Sequence, residues 1–330
     1  MAETGIGFNG DVPVPQMIKY AKDAEGQNLS SFWLHEHSFS RDAFSYLSSI
    51  AQASSKIKLG AGCFSPFTRH PIVLAMSMAT LQEASGGRAI LGIGTGFPAR
   101  LDMMGIKHDK PIGVLKETIE ICRKLWNGET LNFQGSYFSL KNVKSIFPPP
   151  ERKIPIFIAG WKKQMLALCG KYADGYIAKG GESPQSLSRI VSEIKNSSEK
   201  RGRSLKDITI SAYLLSLVSS TTKDALDAAR KDPFVAYMLS VQDDYLYEET
   251  GIDPSSKRPI AENYFKGRLD EARKYITDEI LEAFTLCGTK KELESRVEEY
   301  KKSGLNLPIL QPISMRNEDV LSIIEVASGL

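Results

Sequence analysis

Short apolar runs and helical patterns alternate along this chain. An uninterrupted apolar run of a few residues is typical of a strand that is buried on both faces, and most of the runs are followed by helical spacing. Eight runs are predicted as strands, at residues 4–8, 31–34, 57–63, 89–94, 155–159, 175–178, 209–218 and 307–312. Eight strand–helix units in succession predict an α/β fold, the (β/α)8 TIM barrel, with a doubly wound parallel sheet as the alternative.

Two stretches interrupt this alternation. Residues 127–150 contain two short β-type runs on either side of Gln134-Gly135-Ser136, which predicts a hairpin, and they end in three prolines. Residues 224–284 are mainly helical in pattern and contain no strand-like run. We therefore predict a single domain over residues 1–330, with a hairpin insertion at about 127–150 and a helical insertion at about 224–284.

Composition excludes several classes of protein. The 330 residues include 42 Lys and Arg against 39 Asp and Glu, a net charge of +3, and the basic residues are scattered among acidic ones, so nucleic acid is not expected as a partner. Residues 1–10 have no basic segment followed by an apolar run, so no signal peptide is expected, and no apolar stretch approaches the ~18 residues of a membrane span. The four cysteines lack metal-type spacing. We expect a cytoplasmic protein with reduced thiols, no metal and no membrane partner.

The most informative stretch is 88–97, Arg-Ala-Ile-Leu-Gly-Ile-Gly-Thr-Gly-Phe, in which an apolar run leads directly into Gly92, Gly94 and Gly96. Glycine lets the backbone pass close to another group, and ligands bind at the carboxyl ends of parallel strands. The stretch therefore predicts a cofactor site. A nicotinamide dehydrogenase is disfavoured, because Phe97 occupies the third glycine position of the dinucleotide fingerprint and the motif lies in mid-chain.

Four segments carry a resemblance to a known family. They are Phe-Trp-Leu-His-Glu-His at 32–37, Ile-Lys-Leu-Gly at 57–60, Ser-Gly-Gly-Arg at 85–88 with the glycines that follow, and 155–159 together with Ala173-Asp174-Gly175. On these residues the chain resembles the bacterial-luciferase-like superfamily of flavin and deazaflavin oxidoreductases, and within it the branch that uses coenzyme F420.

The resemblance implies a TIM barrel that transfers hydride between the deazaflavin C5 of F420 and a small organic substrate, such as an alcohol or a pterin. Relatives are usually homodimers. An FMN-dependent luciferase-like monooxygenase is the alternative.

The resemblance also implies which residues hold the cofactor. It places a non-prolyl cis peptide bond at Gly62–Cys63, behind the ring, and contacts to the polar edge of the ring at Thr95 and Gly96. A loop at a helix start would bind the phosphate through backbone N–H groups. Ala159 and Gly160 belong to this loop, but Lys162 and Lys163 replace a Gly-Pro of the relatives. Two cations at a helix start are unfavourable unless an anion offsets them, so they predict a bound phosphate or the acidic tail of the cofactor, with Lys179 on a second side.

The catalytic residues implied by the resemblance are His37 and Glu36. Deazaflavin relatives have an Asp-His pair at this strand end, and Glu36 replaces the aspartate here. We expect His37 to have a pKa near neutrality, which suits an imidazole that moves a proton. Metal binding by His35 and His37 is the alternative, although no third ligand is evident in the neighbouring sequence.

Two carboxylates of the family are absent. Phe97 replaces the acidic residue that often follows the glycine loop, and Gly7 corresponds to a first-strand glutamate of the reductases. The resemblance implies that Arg69, His70 and Phe97 lie on the substrate side. Because the sequence identifies no proton donor, a non-catalytic flavoprotein or binding scaffold also remains an alternative.

Overall fold

The computed structural model describes residues 3–330. Within these residues, the strands include eight parallel ones, a short additional strand and a hairpin. They are β1 (Gly5–Phe8), β2 (Ser31–Leu34), β3 (Lys58–Phe64), β4 (Ala89–Ile93), β5 (Leu131–Gln134), β6 (Ser139–Val143), β7 (Ile156–Ala159), β8 (Gly175–Ala178), β9 (Thr209–Val218), β10 (Leu286–Gly288) and β11 (Leu307–Pro312).

The pairing order of the parallel strands identifies the fold class. The order is β9-β11-β1-β2-β3-β4-β7-β8, and β8 pairs again with β9, so the order returns to its start. This is the pairing pattern of a (β/α)8 TIM barrel, and the prediction of that fold is confirmed. The doubly wound alternative is wrong, because such a sheet has two edge strands. Strand β10 pairs in parallel with β9 at Leu286–Gly288 and was not predicted.

Helices follow most of the strands. They are α1 (Val14–Gly26), α2 (Ala43–Ala53), α3 (Pro71–Ala84), α4 (Pro98–Met103), α5 (Pro111–Trp126), α6 (Lys163–Tyr172), α7 (Pro184–Glu199), α8 (Thr222–Lys231), α9 (Pro233–Ser240), α10 (Asp244–Glu249), α11 (Lys257–Phe265), α12 (Leu269–Arg273), α13 (Asp278–Phe284), α14 (Lys290–Lys302) and α15 (Asn317–Ser328). Between residues 3 and 330, no helix is long and apolar enough to cross a membrane.

The chain forms two compact units. One comprises 8–177 and 192–209 and contains β2, β3, β4 and β7, whose buried apolar residues form its core. Helix α5 illustrates how the sequence builds it: Leu115, Ile119 and Cys122 recur at helical spacing and are all buried.

The second unit comprises 3–7, 178–191 and 210–330. Helices α8 to α13 pack around a core that includes Leu239, Tyr247 and Phe284. The aromatic rings of Tyr247 and Phe284 lie 4.5 Å apart. The hairpin of β5 and β6 and the helical run α8–α13 lie within the segments that the sequence analysis treated as insertions, and the single-domain boundary remains a prediction.

Candidate functional site

Small residues occupy the carboxyl ends of three neighbouring strands. Strand β3 pairs with β4, and β4 pairs with β7, so Cys63, Gly94 and Ala159 follow one another across the sheet. A Cβ atom built on Gly94 would lie 3.6 Å from the Cβ of Cys63 and 3.7 Å from that of Ala159. We call these three residues the strand-end cradle. None of them has a side chain longer than that of cysteine, so a flat ring placed against them would meet only small groups of theirs.

The backbone beneath the strand-end cradle is irregular. The Gly62–Cys63 peptide bond is cis, as the resemblance implies. The register between β3 and β4 shifts between Ala61 and Phe64, and the N–H of Gly94 donates to the carbonyl of Phe64 at 3.0 Å. Burial raises the pKa of the Cys63 thiol to about 12, so this thiol stays protonated and neutral at physiological pH.

The glycine loop after β4 is held by a serine of the loop after β3. The hydroxyl of Ser65 donates to the carbonyl of Thr95 at 3.1 Å. Gly96 has a φ of +79°, which a glycine adopts without strain, and a Cβ there would lie 3.0 Å from the Ser65 hydroxyl. Phe97 follows, is 44% exposed and directly precedes the short helix α4 as its N-cap residue. The sequence did not predict α4, because six residues carry too little periodicity.

His37 lies in the loop after β2. Its Nδ1 atom is 3.3 Å from the hydroxyl of Ser40. Burial, and secondarily the positive charge of Arg100, lower the pKa of this imidazole to about 4. The expected pKa near neutrality is therefore wrong, since the local sequence carried no information on burial. At pH 7 the imidazole of His37 is therefore neutral. It can accept a proton, but it has no extra proton to donate as an acid.

Glu36 and Arg69, predicted for two different roles, pair with each other. The guanidinium of Arg69 donates to Oε1 of Glu36 from Nε at 3.1 Å and from Nη2 at 2.7 Å, and it also pairs with Asp42. It lies 5.1 Å from the ring centroids of both Phe44 and Phe64. The carboxylate of Glu36 is therefore directed to Arg69, and the positive charge of Arg69 faces two carboxylates.

His70 is the N-cap residue directly before helix α3. Its Nδ1 atom accepts from the N–H of Ile72 at 3.2 Å, and its ring meets Phe138 of the hairpin edge-on, with centroids 5.2 Å apart. Burial lowers the pKa of His70. The imidazole is thus neutral at pH 7, with one nitrogen engaged by the helix start.

Two lysines mark the start of α6, directly after Gly160. Lys162 and Lys163 are exposed, and the ammonium of Lys162 lies 5.6 Å from the ring centroid of Trp161. Neither ammonium is in a salt bridge with a carboxylate of residues 3–330. Gly160 has a φ of +138°, and a Cβ there would lie 2.7 Å from Cγ of Met165. Backbone N–H groups and two unneutralised cations at a helix start are a favourable environment for an anion.

Lys179 belongs to the second compact unit, after β8. Its ammonium pairs with Asp243 and lies 5.8 Å from the ring centroid of Tyr245. Tyr245 donates at 2.5 Å to Oε1 of Glu182, which is only 2% exposed. Burial raises the pKa of Glu182. Glu182 is not among the residues predicted from the sequence, where its one local signal is its position after Gly180-Gly181 at a strand end.

The first strand has no room for the glutamate of the reductases. A Cβ on Gly7 would lie 2.6 Å from Cε1 of Tyr213 and 3.0 Å from Cγ2 of Ile309, so the tyrosine ring fills the space above this glycine. The side chains packed against Gly7 therefore leave no space for a glutamate side chain at this position. Among residues 3–330, no group of three or more His, Cys, Asp or Glu residues is arranged to hold a metal ion.

Comparison with known proteins agrees with this geometry. The family model of the luciferase-like monooxygenases matches residues 3–307. A 5,10-methylenetetrahydromethanopterin reductase of Methanolobus tindarius is 31% identical over 97% of both chains. An F420-dependent glucose-6-phosphate dehydrogenase of Microbacterium testaceum is 30% identical over 53% of this chain and 54% of its own.

Structure comparison extends over the whole chain. The coenzyme F420-dependent tetrahydromethanopterin reductase of Methanopyrus kandleri superposes with a TM-score of 0.89 at 26% identity, and covers 99% of this chain and 97% of its own. Together with the match of the family model to residues 3–307, this shows that the chain belongs to the luciferase-like monooxygenase family.

Proposed function

We propose that this protein is a coenzyme F420-dependent oxidoreductase that transfers hydride between the deazaflavin and a small organic substrate. The observation that carries the proposal is the strand-end cradle, in which the small residues Cys63, Gly94 and Ala159 lie side by side at the carboxyl ends of three neighbouring strands. When bound, coenzyme F420 supplies the hydride. The reductase relatives, which span nearly the whole chain, favour a reduced pterin as the substrate class.

The lysines at the start of α6 are proposed to hold the phosphate of the cofactor. The N–H groups of this helix start and the cations of Lys162 and Lys163 attract an anion, and no carboxylate of the described chain neutralises either lysine. The glycine loop at Thr95 and Gly96 is proposed to contact the polar edge of the ring through its backbone. Lys179 is proposed as a further contact of the cofactor. Its ammonium pairs with Asp243 in the structure, and an acidic group of the cofactor would take the place of that carboxylate.

His37 is proposed as the group that handles the proton. Its imidazole is neutral at pH 7, so it accepts a proton from a substrate or holds a substrate oxygen by a hydrogen bond. Glu36 positions the same loop, since its second oxygen accepts from the N–H of Ala43 at the start of α2 at 3.3 Å while the first holds Arg69. Arg69, His70 and Phe97 remain candidates for the substrate side.

A binding experiment tests the phosphate site. We expect the purified protein to bind F420 more tightly than FMN, as measured by fluorescence titration of each cofactor. Replacing Lys162 and Lys163 together by Met is expected to weaken F420 binding by roughly tenfold, since each lost charge–phosphate contact contributes about 1 kcal/mol or less at an exposed site. Lys171→Met, at the other end of α6, is the matched control and should bind F420 normally.

A turnover experiment tests the role of His37. His37→Gln is expected to lower the rate of F420 oxidation or reduction by about 10²–10⁴-fold, the usual contribution of a proton-transfer group, while F420 binding persists. The rate is followed by F420 absorbance with a methylenetetrahydropterin, a secondary alcohol and a sugar phosphate as substrates. His108→Gln, at a histidine that pairs with Asp102, is the control. If the wild-type protein binds F420 but turns over none of these substrates, the result would contradict the enzymatic role and favour a non-catalytic binding scaffold.

We also propose that the protein acts in the cytoplasm as a homodimer. Support for an interface comes from Val73 and Met76, two apolar side chains one turn apart on α3 that are 45% and 49% exposed. Light scattering of the purified protein decides between monomer and dimer.

A further inference from the structure

Arg100 of helix α4 contacts the loop in which His37 lies. The Nη1 atom of Arg100 donates to the carbonyl of Ser38, the residue directly after His37, at 3.1 Å. Sixty-two residues separate the two partners along the chain, so the contact links the loop after β4 to the loop after β2. Arg100 lies three positions after Phe97, which stands where relatives often have an acid.

The other charged groups near His37 are engaged elsewhere. The carboxylate of Glu36 holds Arg69, which also pairs with Asp42. Arg41 donates to the backbone carbonyl of Asp11 at 2.9 Å. Burial lowers the pKa of His37, and the positive charge of Arg100 lowers it further. Ser40, at 3.3 Å, brings a neutral hydroxyl.

We propose that Arg100 is a positioning residue for His37: it fastens the loop after β2 to helix α4 through the carbonyl of Ser38, and it brings a positive charge to the surroundings of the imidazole. The inference rests on the proposed function, in which His37 handles the proton. The segment after the glycine loop thus contributes a cation, Arg100, whose charge disfavours protonation of the histidine, whereas the position directly after that loop holds Phe97 and no acid.

Titration of the histidine by NMR tests this proposal without any need for turnover. The protein contains four histidines, and the signal of His37 is assigned by its loss in His37→Gln. Arg100→Met removes the charge and keeps the bulk, so the pKa of His37 should rise by about 0.5 or more, as expected for one charge several ångströms away in a partly solvated site. Arg100→Lys keeps the charge, and the pKa should stay close to the wild-type value.

The control is Arg201→Met, at an exposed arginine whose guanidinium donates to the hydroxyl of Tyr172, and it should leave the His37 titration unchanged. An unchanged His37 pKa in Arg100→Met overturns the proposal, as does an equal rise in Arg100→Lys. Failure of the wild type to turn over F420 would instead count against the proposed function alone.

A salt titration of the wild type covers the case in which Arg100→Met does not fold. Raising the ionic strength from about 0.05 M to about 0.5 M screens the field of the guanidinium, so the pKa of His37 should rise. A pKa that falls or does not move with salt would overturn the electrostatic role of Arg100.

Discussion

At the scale of single residues, the candidate site depends on which charges are already paired within the chain. Arg69 faces Glu36 and Asp42, and its guanidinium lies against two phenylalanine rings, whereas Lys162 and Lys163 face no carboxylate among the described residues. An arginine held by two carboxylates positions a loop, while unneutralised lysines remain available for an anionic ligand. The sequence analysis named Glu36, Arg69 and the two lysines but not Asp42, and it did not distinguish a paired cation from an unpaired one.

The lowered pKa of His37 predicts how the free energy of unfolding depends on pH. Its folded pKa of about 4 lies below the ordinary value of 6.5, so the unfolded chain binds more protons at intermediate pH. Stability should therefore be full above pH ~6.5 and fall as the pH decreases from there towards 4. Urea denaturation at several pH values measures this slope.

The matched variant for this prediction is His37→Gln, in which the slope should be smaller. Some slope should remain, because the pKa of His70 is also lowered by burial. Equal pH dependence in wild type and variant would show that His37 is not held neutral by the fold.

At the scale of elements, the site is built where strands approach closely. Gly60 of β3 lies against the ring of Trp33 in β2, and a Cβ there would lie 2.2 Å from Cδ2 of that ring. At the opposite end of this region, Arg88 donates to the carbonyls of Ala51, Ser54, Ile57 and Ser85, which ties the starts of β3 and β4 to the end of α2. The Ser-Gly-Gly-Arg motif thus fixes the strands whose other ends form the strand-end cradle.

The close approach of β3 and β4 can be tested by a substitution at Gly92 of β4. A Cβ on Gly92 would lie 2.3 Å from the carbonyl oxygen of Ala61 and 3.0 Å from Cα of Gly62, and both are backbone atoms that cannot turn away. Gly92→Ala should therefore lower the free energy of unfolding by about 2–3 kcal/mol, measured by urea denaturation, and weaken cofactor binding.

Gly26→Ala is the control for that measurement. Gly26 is the last residue of α1, and a Cβ there would meet nothing within 4 Å. Its replacement should be neutral or stabilising by about 0.5 kcal/mol, since alanine has the higher helix propensity. A Gly92→Ala variant as stable as Gly26→Ala would contradict the close approach of β3 and β4.

At the scale of the whole molecule, the periodic pattern predicted the order of the elements well. The strands at 31–34, 175–178, 209–218 and 307–312 have the predicted bounds, because a strand buried on both faces is an apolar run with clear ends. The pattern did not predict α4 or β10, which are short elements with no period of their own. The resemblance to F420-dependent enzymes, made on four short segments, is confirmed by relatives that span nearly the whole chain.

The sequence by itself determined the barrel topology, the family and the strand ends at which a cofactor is expected. Apolar periodicity and glycine positions are local properties, and they remain readable wherever the segment lies in the fold. Only the tertiary structure decided that His37 is neutral, that Glu36 and Arg69 pair with each other, and that Tyr213 fills the space above Gly7. Desolvation, Coulomb interaction and van der Waals exclusion act between residues that are distant in the chain, and their strength is set by distances that no local pattern contains.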